Sequence, residues 1–333
     1  MRLVSVCRNA LTAFLSLLIA LVLVTPHAGA QDNDASIASQ STFRSAIDVV
    51  ALGVVVTDVQ EKFVTGLEAS DFAVFEDGVR QDLSFFAASS VPLDLAILLD
   101  TSASMSDKIA TVQRAAIGFA STLRPKDRVT VVDIKDGAKI IAPLSEDVEQ
   151  AKQAILTTSA KGGTALYNGI YLSLKDIIRQ RRTNGEVRRQ AIVVLSDGED
   201  TTSLMSFDDV LQLAKESGIA IYTIQLKPKY ELPAAVVKTQ KYFSQADFAM
   251  KALAKETGAR SFFPATIDDL SSAYDVIAKE LASQYSIGYT SKNPKRDGAY
   301  RRVIVRISDR PGVQTRTRSG YFATPLDRAA ASH

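Results

Sequence analysis

Between Leu93 and Leu99 every residue but Asp94 is apolar, and the run stops at a second acid, Asp100. A strand with one wet face alternates apolar and polar residues. A strand apolar on both faces has to be covered on both, as in the middle of a parallel sheet. The runs Ala191 to Leu195, which ends in Ser196-Asp197-Gly198, and Ile219 to Leu226 have the same character. Val129 to Ile134, Lys139 to Ala142 and Ser261-Phe262 add shorter strands. Ile109, Val112, Ala116 and Phe119 recur at helical spacing, and 146–156, 164–179, 207–217, 246–257 and 267–282 also carry helical patterns. Strands alternating with helices in this way predict an α/β fold, a doubly wound, Rossmann-like parallel sheet covered on both faces.

The flanks differ. Val50, Leu52, Val54 and Val56 alternate with other residues, and the turn Glu76-Asp77-Gly78 separates Phe72, Val74 and Phe75 from Leu83, Phe85 and Phe86. Past the α/β region, 285–289, 302–307 and 313–321 are again β runs, divided by Lys-Asn-Pro-Lys and Arg-Pro-Gly turns. Strands at both ends predict a small β-sandwich built from N- and C-terminal segments beside the inserted α/β domain. The expected organisation is a signal peptide (1–30), a disordered lead-in (31–42), a β-rich segment (43–90), the α/β domain (91–285), a second β-rich segment (286–323) and a tail (324–333). Within the domain, 227–245 carries Pro228 and Pro233 and is expected to be an insertion loop.

The first thirty residues have a basic start (Arg2, Arg8), an apolar run (10–24) and small residues at Ala28-Gly29-Ala30. This is the layout of a cleaved secretory signal, with a run shorter than the roughly 20 residues that cross a bilayer; an uncleaved N-terminal anchor is the less favoured alternative. The chain is thus expected in the periplasm or outside the cell, with no transmembrane span after cleavage and with some association with the envelope. Losing Arg2 and Arg8 from the 39 basic residues leaves 37, against 37 acids. A chain near neutrality has no global field favouring nucleic acid. The histidines are His27 and His333 and the one cysteine is Cys7, so the body has neither type. That excludes Ser-His-Asp and Cys-His catalysis and zinc sites built on those ligands.

Three stretches carry the chemistry: Asp100-Thr101-Ser102-Ala103-Ser104, Gly162-Gly163-Thr164 and Ser196-Asp197-Gly198. In an open parallel sheet the carboxyl ends of the strands share one edge, where ligands bind. Asp100 and Asp197 therefore converge there. Oxygen donors suit Mg²⁺, with Mn²⁺ or Ca²⁺ as alternatives. Two carboxylates balance a divalent charge, and three hydroxyls add ligands without adding charge. Such a site keeps a position for an incoming anionic group.

Asp-Thr-Ser-Ala-Ser-Met at 100–105, Thr164 and Ser-Asp-Gly at 196–198, in that order, resemble the metal-ion-dependent adhesion site of von Willebrand factor A domains. The similarity covers about residues 91 to 285, and the flanking β segments resemble, more weakly, extensions found in some bacterial members. Ala103 stands where many members have Gly. The resemblance implies that Ser102, Ser104 and Thr164 touch the metal while Asp100 and Asp197 act directly or through water. It implies a non-enzymatic binding or adhesion module whose metal is completed by an acidic side chain of a protein partner. Two other readings stay open. The metal could only staple an assembly protein, or Asp100 could serve a Mg²⁺-dependent phosphate-ester hydrolase, although Ser102 stands where such enzymes have a second Asp.

Three charged groups remain. Asp107, Glu199, Asp200, Asp208 and Asp209 are expected to form a solvated acidic rim or to start helices. Arg179, Arg181, Arg182, Arg188 and Arg189 are expected to be a solvated basic loop at the edge away from the metal. Nine basic residues from Lys292 to Arg318 would form a stripe if their strands exposed one face. Tyr230, Tyr242 and Phe243 would offer aromatic contact area in the insertion.

Overall fold

The computed structural model describes residues 49–88, 91–184, 186–197, 199–226, 245–308 and 310–323. The leader, the lead-in, the tail and the insertion with its three aromatic residues lie outside them. Elements are numbered in chain order.

The α/β body is a six-stranded sheet made of β5 (Leu93–Asp100), β6 (Arg128–Ile134), β7 (Ala138–Ser145), β8 (Arg189–Ser196), β9 (Ala220–Gln225) and β10 (Ser261–Phe262). Their spatial order is β10-β9-β8-β5-β6-β7. All eight residues of β5 are buried, as its double-sided apolar pattern requires. Leu93, Leu95, Ile97 and Leu99 pack against α1 (Ile109–Ala120), α2 (Val148–Leu156) and α6 (Leu270–Ser283). Ala96 and Leu98 face α3 (Leu166–Asn184), α4 (Phe207–Ser217) and α5 (Gln245–Glu256). The period of two along one strand thus feeds two separate cores.

One edge departs from the all-parallel expectation, because β7 runs antiparallel to β6. Only Lys135 to Gly137 join them, closed by a bond from Lys135 N to Gly137 O of 2.8 Å. A parallel crossover needs a dozen or more residues, so three residues permit only a hairpin.

The flanking strands form two four-stranded antiparallel sheets. One has the order β13-β1-β11-β4, from β13 (Gln314–Arg316), β1 (Val49–Thr57), β11 (Tyr285–Thr290) and β4 (Leu83–Ala88). The other has the order β14-β12-β2-β3, from β14 (Gly320–Phe322), β12 (Tyr300–Ile307), β2 (Phe72–Glu76) and β3 (Val79–Gln81). Strands from both ends of the chain alternate in the first sheet and meet at the β12–β2 pair in the second. Val50, Leu52, Val54 and Val56 pack across the gap on Phe72, Val74, Val303 and Val305. This is the sandwich expected from the two-ended β pattern.

Its one buried carboxylate among the described residues, Glu76, accepts hydrogen bonds from Tyr289 Oη (2.9 Å), Tyr321 Oη (2.9 Å) and Ser291 Oγ (2.5 Å), with Arg301 at 3.8 Å. Burial, with the Glu76 charge beside it, pushes the Tyr289 hydroxyl far above its ordinary value. We expect Glu76→Gln, which keeps the shape and removes the charge, to cost about 1–3 kcal/mol in a urea denaturation curve.

Two expectations are corrected here. The run Val313 to Tyr321 is two short strands in opposite sheets, broken at Thr317 to Ser319. Arg316 is held away from a continuous strand by Glu280 Oε2 at 2.5 Å and by Gly258 O at 2.7 Å, both in the α/β body. The arginines around β8 are not simply solvated. Arg188 reaches the buried Asp94, Arg181 donates to Ser217 O, and Arg189 donates to Val91 O and Leu281 O. These contacts, with Arg124 to Ala282 O at 3.1 Å, join elements of the α/β body to one another, and through Val91 to the segment that enters β5. They lie at the end of the sheet opposite Asp100.

Candidate functional site

Asp100 closes β5 and is fully buried. Its two oxygens are used differently. Oδ1 accepts from Ser102 N at 2.9 Å, which folds the chain back into a short loop, and Oδ2 accepts from Ser196 Oγ at 2.5 Å. Ser196 ends the neighbouring β8, so the carboxylate bridges the carboxyl ends of adjacent parallel strands. After the loop, Ala103 to Met105 form one turn of 3-10 helix anchored by buried Met105. That turn sets Ser104 Oγ 3.0 Å from Ser102 Oγ.

The second stretch is tied to the first by main-chain bonds. Lys161 N donates to Thr101 O at 2.9 Å, and Ala103 N donates to Gly162 O at 3.0 Å. Gly162 has φ +75°, a conformation that favours glycine. Gly163 is required by space, because a Cβ there would lie 2.7 Å from Thr202 Cγ2 and 3.0 Å from Thr201 Oγ1. Thr164 is then held by its backbone, with N donating to Thr201 Oγ1 at 2.9 Å and O accepting from Thr201 N and Thr202 N. Those bonds use only its main chain. We expect Gly163→Val to push the 162–164 loop off the 201–202 loop and to lower stability by about 1–3 kcal/mol, measured by thermal melting.

Asp197 follows β8 and is 5% exposed. Its carbonyl accepts from Gln225 Nε2 at 3.3 Å, while its side-chain Oδ1 is buried with no hydrogen-bond partner. Burial pushes the Asp100 carboxyl above its ordinary value; hydrogen bonds from Ser102 and Ser196 oppose this, and the nearby Asp197 charge adds to it. Among the described residues, no lysine or arginine forms an ion pair with either carboxylate. Nor do three His, Cys, Asp or Glu side chains gather anywhere among those residues as a metal cluster. What this edge of the sheet offers is two carboxylates with neutral oxygens beside them. That donor set fits a hard divalent cation.

Several contributors were not singled out from the sequence. Ser196 was legible only as part of Ser-Asp-Gly. Its bond to Asp100 follows from β5 and β8 being neighbours. Thr101 donates through its hydroxyl to Asp133 Oδ1, and Asp136 Oδ1 accepts from Gly163 N at 2.6 Å. Both acids flank the end of β6 on the same sheet edge, so the rule that located Asp100 and Asp197 reaches them too. Thr201 had no local signal. Of the acidic rim, Asp200 accepts from Tyr167 N and Ser203 N, and Asp209 closes a capping box with Ser206 at the start of α4. These are structural bonds, and Asp209 starts a helix as expected.

Residues 94–276 match the model of the von Willebrand factor type A domain. An uncharacterized protein of Synechocystis sp. is 33% identical over 113 residues, covering 33% of this chain and 26% of its own length. Another, from Borreliella burgdorferi, is 26% identical over 169 residues, covering 48% of each. This chain thus spans about a quarter and about half of those curated relatives. Among solved structures, a von Willebrand factor type A protein from Catenulispora acidiphila aligns over 86% of this chain and 76% of its own, with TM-score 0.48 and 13% identity. An aerotolerance-related membrane protein from Bacteroides fragilis aligns over 57% and 98%, with TM-score 0.44 and 20% identity. No helix among the described residues is long and apolar enough to cross a membrane. With more than half its length matched by the domain model, the chain belongs to the von Willebrand factor type A domain family.

Proposed function

We propose that this protein is an exported binding module in which Asp100, Ser102, Ser104, Thr164 and Asp197 hold a divalent cation, Mg²⁺ in the first instance and Mn²⁺ or Ca²⁺ as substitutes. One observation carries the reading: a buried Asp197 oxygen without a partner stands beside a buried Asp100, and among the described residues no lysine or arginine pairs with either. When bound, the cation supplies positive charge and a vacant ligand position for a carboxylate of a protein partner. The chain's own residues do the rest. Ser196 and the Ser102 amide fix the Asp100 carboxylate, while main-chain bonds tie the 161–162 stretch, next to Thr164, to the 101–103 loop. Exposed Ser104 marks the open side.

Binding is favoured over catalysis because residues 49–323 contain no histidine or cysteine to move a proton near this cluster. The partner belongs to the cell envelope or lies outside it, as the leader composition suggests. The test is a pull-down from envelope extract with the full chain in Mg²⁺. The expected result is a retained protein that chelator releases and that Asp100→Ala does not retain. Retention untouched by both changes would refute the proposal. If Mg²⁺ raises the melting temperature while nothing is retained, the metal acts as a fold staple instead.

A further inference from the structure

The basic residues of the C-terminal strands do not form one stripe, since Arg301 and Arg316 turn inward to Glu76 and Glu280. Two of the others, Arg302 and Arg318, line a cleft of about 610 Å³ between the α/β body and the sandwich, together with Arg316. One wall is α5, with Lys251 and Lys255, and the residues around β10. The other is β12, with Arg302, and the crossing from β13 to β14, with Arg316 and Arg318. Five lining side chains are cationic and no carboxylate lines the cleft. Glu280 compensates Arg316 from outside the lining, and Lys251 Nζ lies 4.7 Å from the centroid of the Phe263 ring. Lys255 and Arg302 are exposed on opposite walls.

A second, independent feature lies in the same crossing. Thr317 Oγ1 and Arg318 Nε are buried and have no hydrogen-bond partner. Buried donors are ordinarily satisfied, so unpaired ones in a cation-lined cleft call for an acceptor from outside the chain. Cations on two facing walls favour a tetrahedral anion, whose oxygens accept from several directions, over a planar carboxylate. The volume exceeds that of a single small ion.

We propose that this cleft binds a phosphate-bearing ligand, a phosphate ester or a short phosphate chain, independently of the cation site. The test is calorimetric titration of the full chain with tripolyphosphate in buffer stripped of divalent cations, so that the Asp100 site takes no part. The expected result is saturable one-to-one binding, weakened about tenfold or more by the double change Lys255→Glu, Arg302→Glu. Arg114→Glu, on the exposed face of distant α1, leaves it unchanged. Should the double variant melt early, Thr317→Val carries the same test and is expected to weaken binding without altering the melt. Citrate, an anion of comparable charge built from carboxylates, binds more weakly. No heat at millimolar tripolyphosphate, equal weakening by Arg114→Glu, or citrate binding as tightly would overturn the proposal.

Discussion

Asp94→Ala is expected to lower the unfolding free energy by about 3–5 kcal/mol, the largest effect of any single change in the body away from the cation site. Asp94 is 1% exposed at the start of the most buried strand, and two arginines converge on it. Arg188 Nε donates to Oδ1 at 2.6 Å, while Arg128 donates to Oδ1 and Oδ2 at 2.8 and 2.7 Å. Its carboxylate in turn holds the Arg128 guanidinium above its ordinary pKa. Removing the acid leaves Arg188, its side chain only 5% exposed, with the exposed Glu186 at 3.0 Å as its remaining carboxylate; Arg128 is more open and can rehydrate. The penalty therefore comes mainly from Arg188, and the double change Asp94→Leu, Arg188→Met is expected to recover most of it. Urea denaturation of the single and double variants measures both. A loss below about 1 kcal/mol for Asp94→Ala would place this cluster with surface ion pairs.

The second large effect is a reversal of sign at the cation site. In metal-free buffer Asp197→Asn is expected to be neutral or stabilising, because it removes one of two close buried charges. Mg²⁺ should then separate the proteins. At a hundredfold excess over the dissociation constant, a ligand that binds only the folded state adds about 2.7 kcal/mol. The natural chain should gain that much, and the variant little. Thermal melting of both proteins with Mg²⁺ and with chelator gives the four values. Asp197→Asn destabilising without metal and gaining as much from Mg²⁺ as the natural chain would mean that Asp197 is an ordinary structural carboxylate.

What could be read from the residues alone follows the range of the forces involved. The two-faced burial of β5 is written in its own composition, so the sheet and its helices were legible. Asp100 and Asp197 were legible because strand ends on one edge converge whatever lies between them. Asp94 gave no such signal. Its partners are 34 and 94 residues away, and the basic residues near β8 looked like a solvated loop until the fold brought them under the sheet. The break at Thr317 to Ser319 depends likewise on Glu280 and Gly258, which only the packed body places beside Arg316. The antiparallel turn into β7 was available from its three-residue connection, whereas Thr201 was not, since its role exists only once the 162–164 loop lies across it.

A crystal structure of the protein grown in manganese, with anomalous scattering recorded, tests the central claim most directly. A single strong peak bounded by the side-chain oxygens of Asp100, Ser102, Ser104, Thr164 and Asp197 is the predicted result. Millimolar manganese leaving that position without density, or a peak held by other residues, would contradict it.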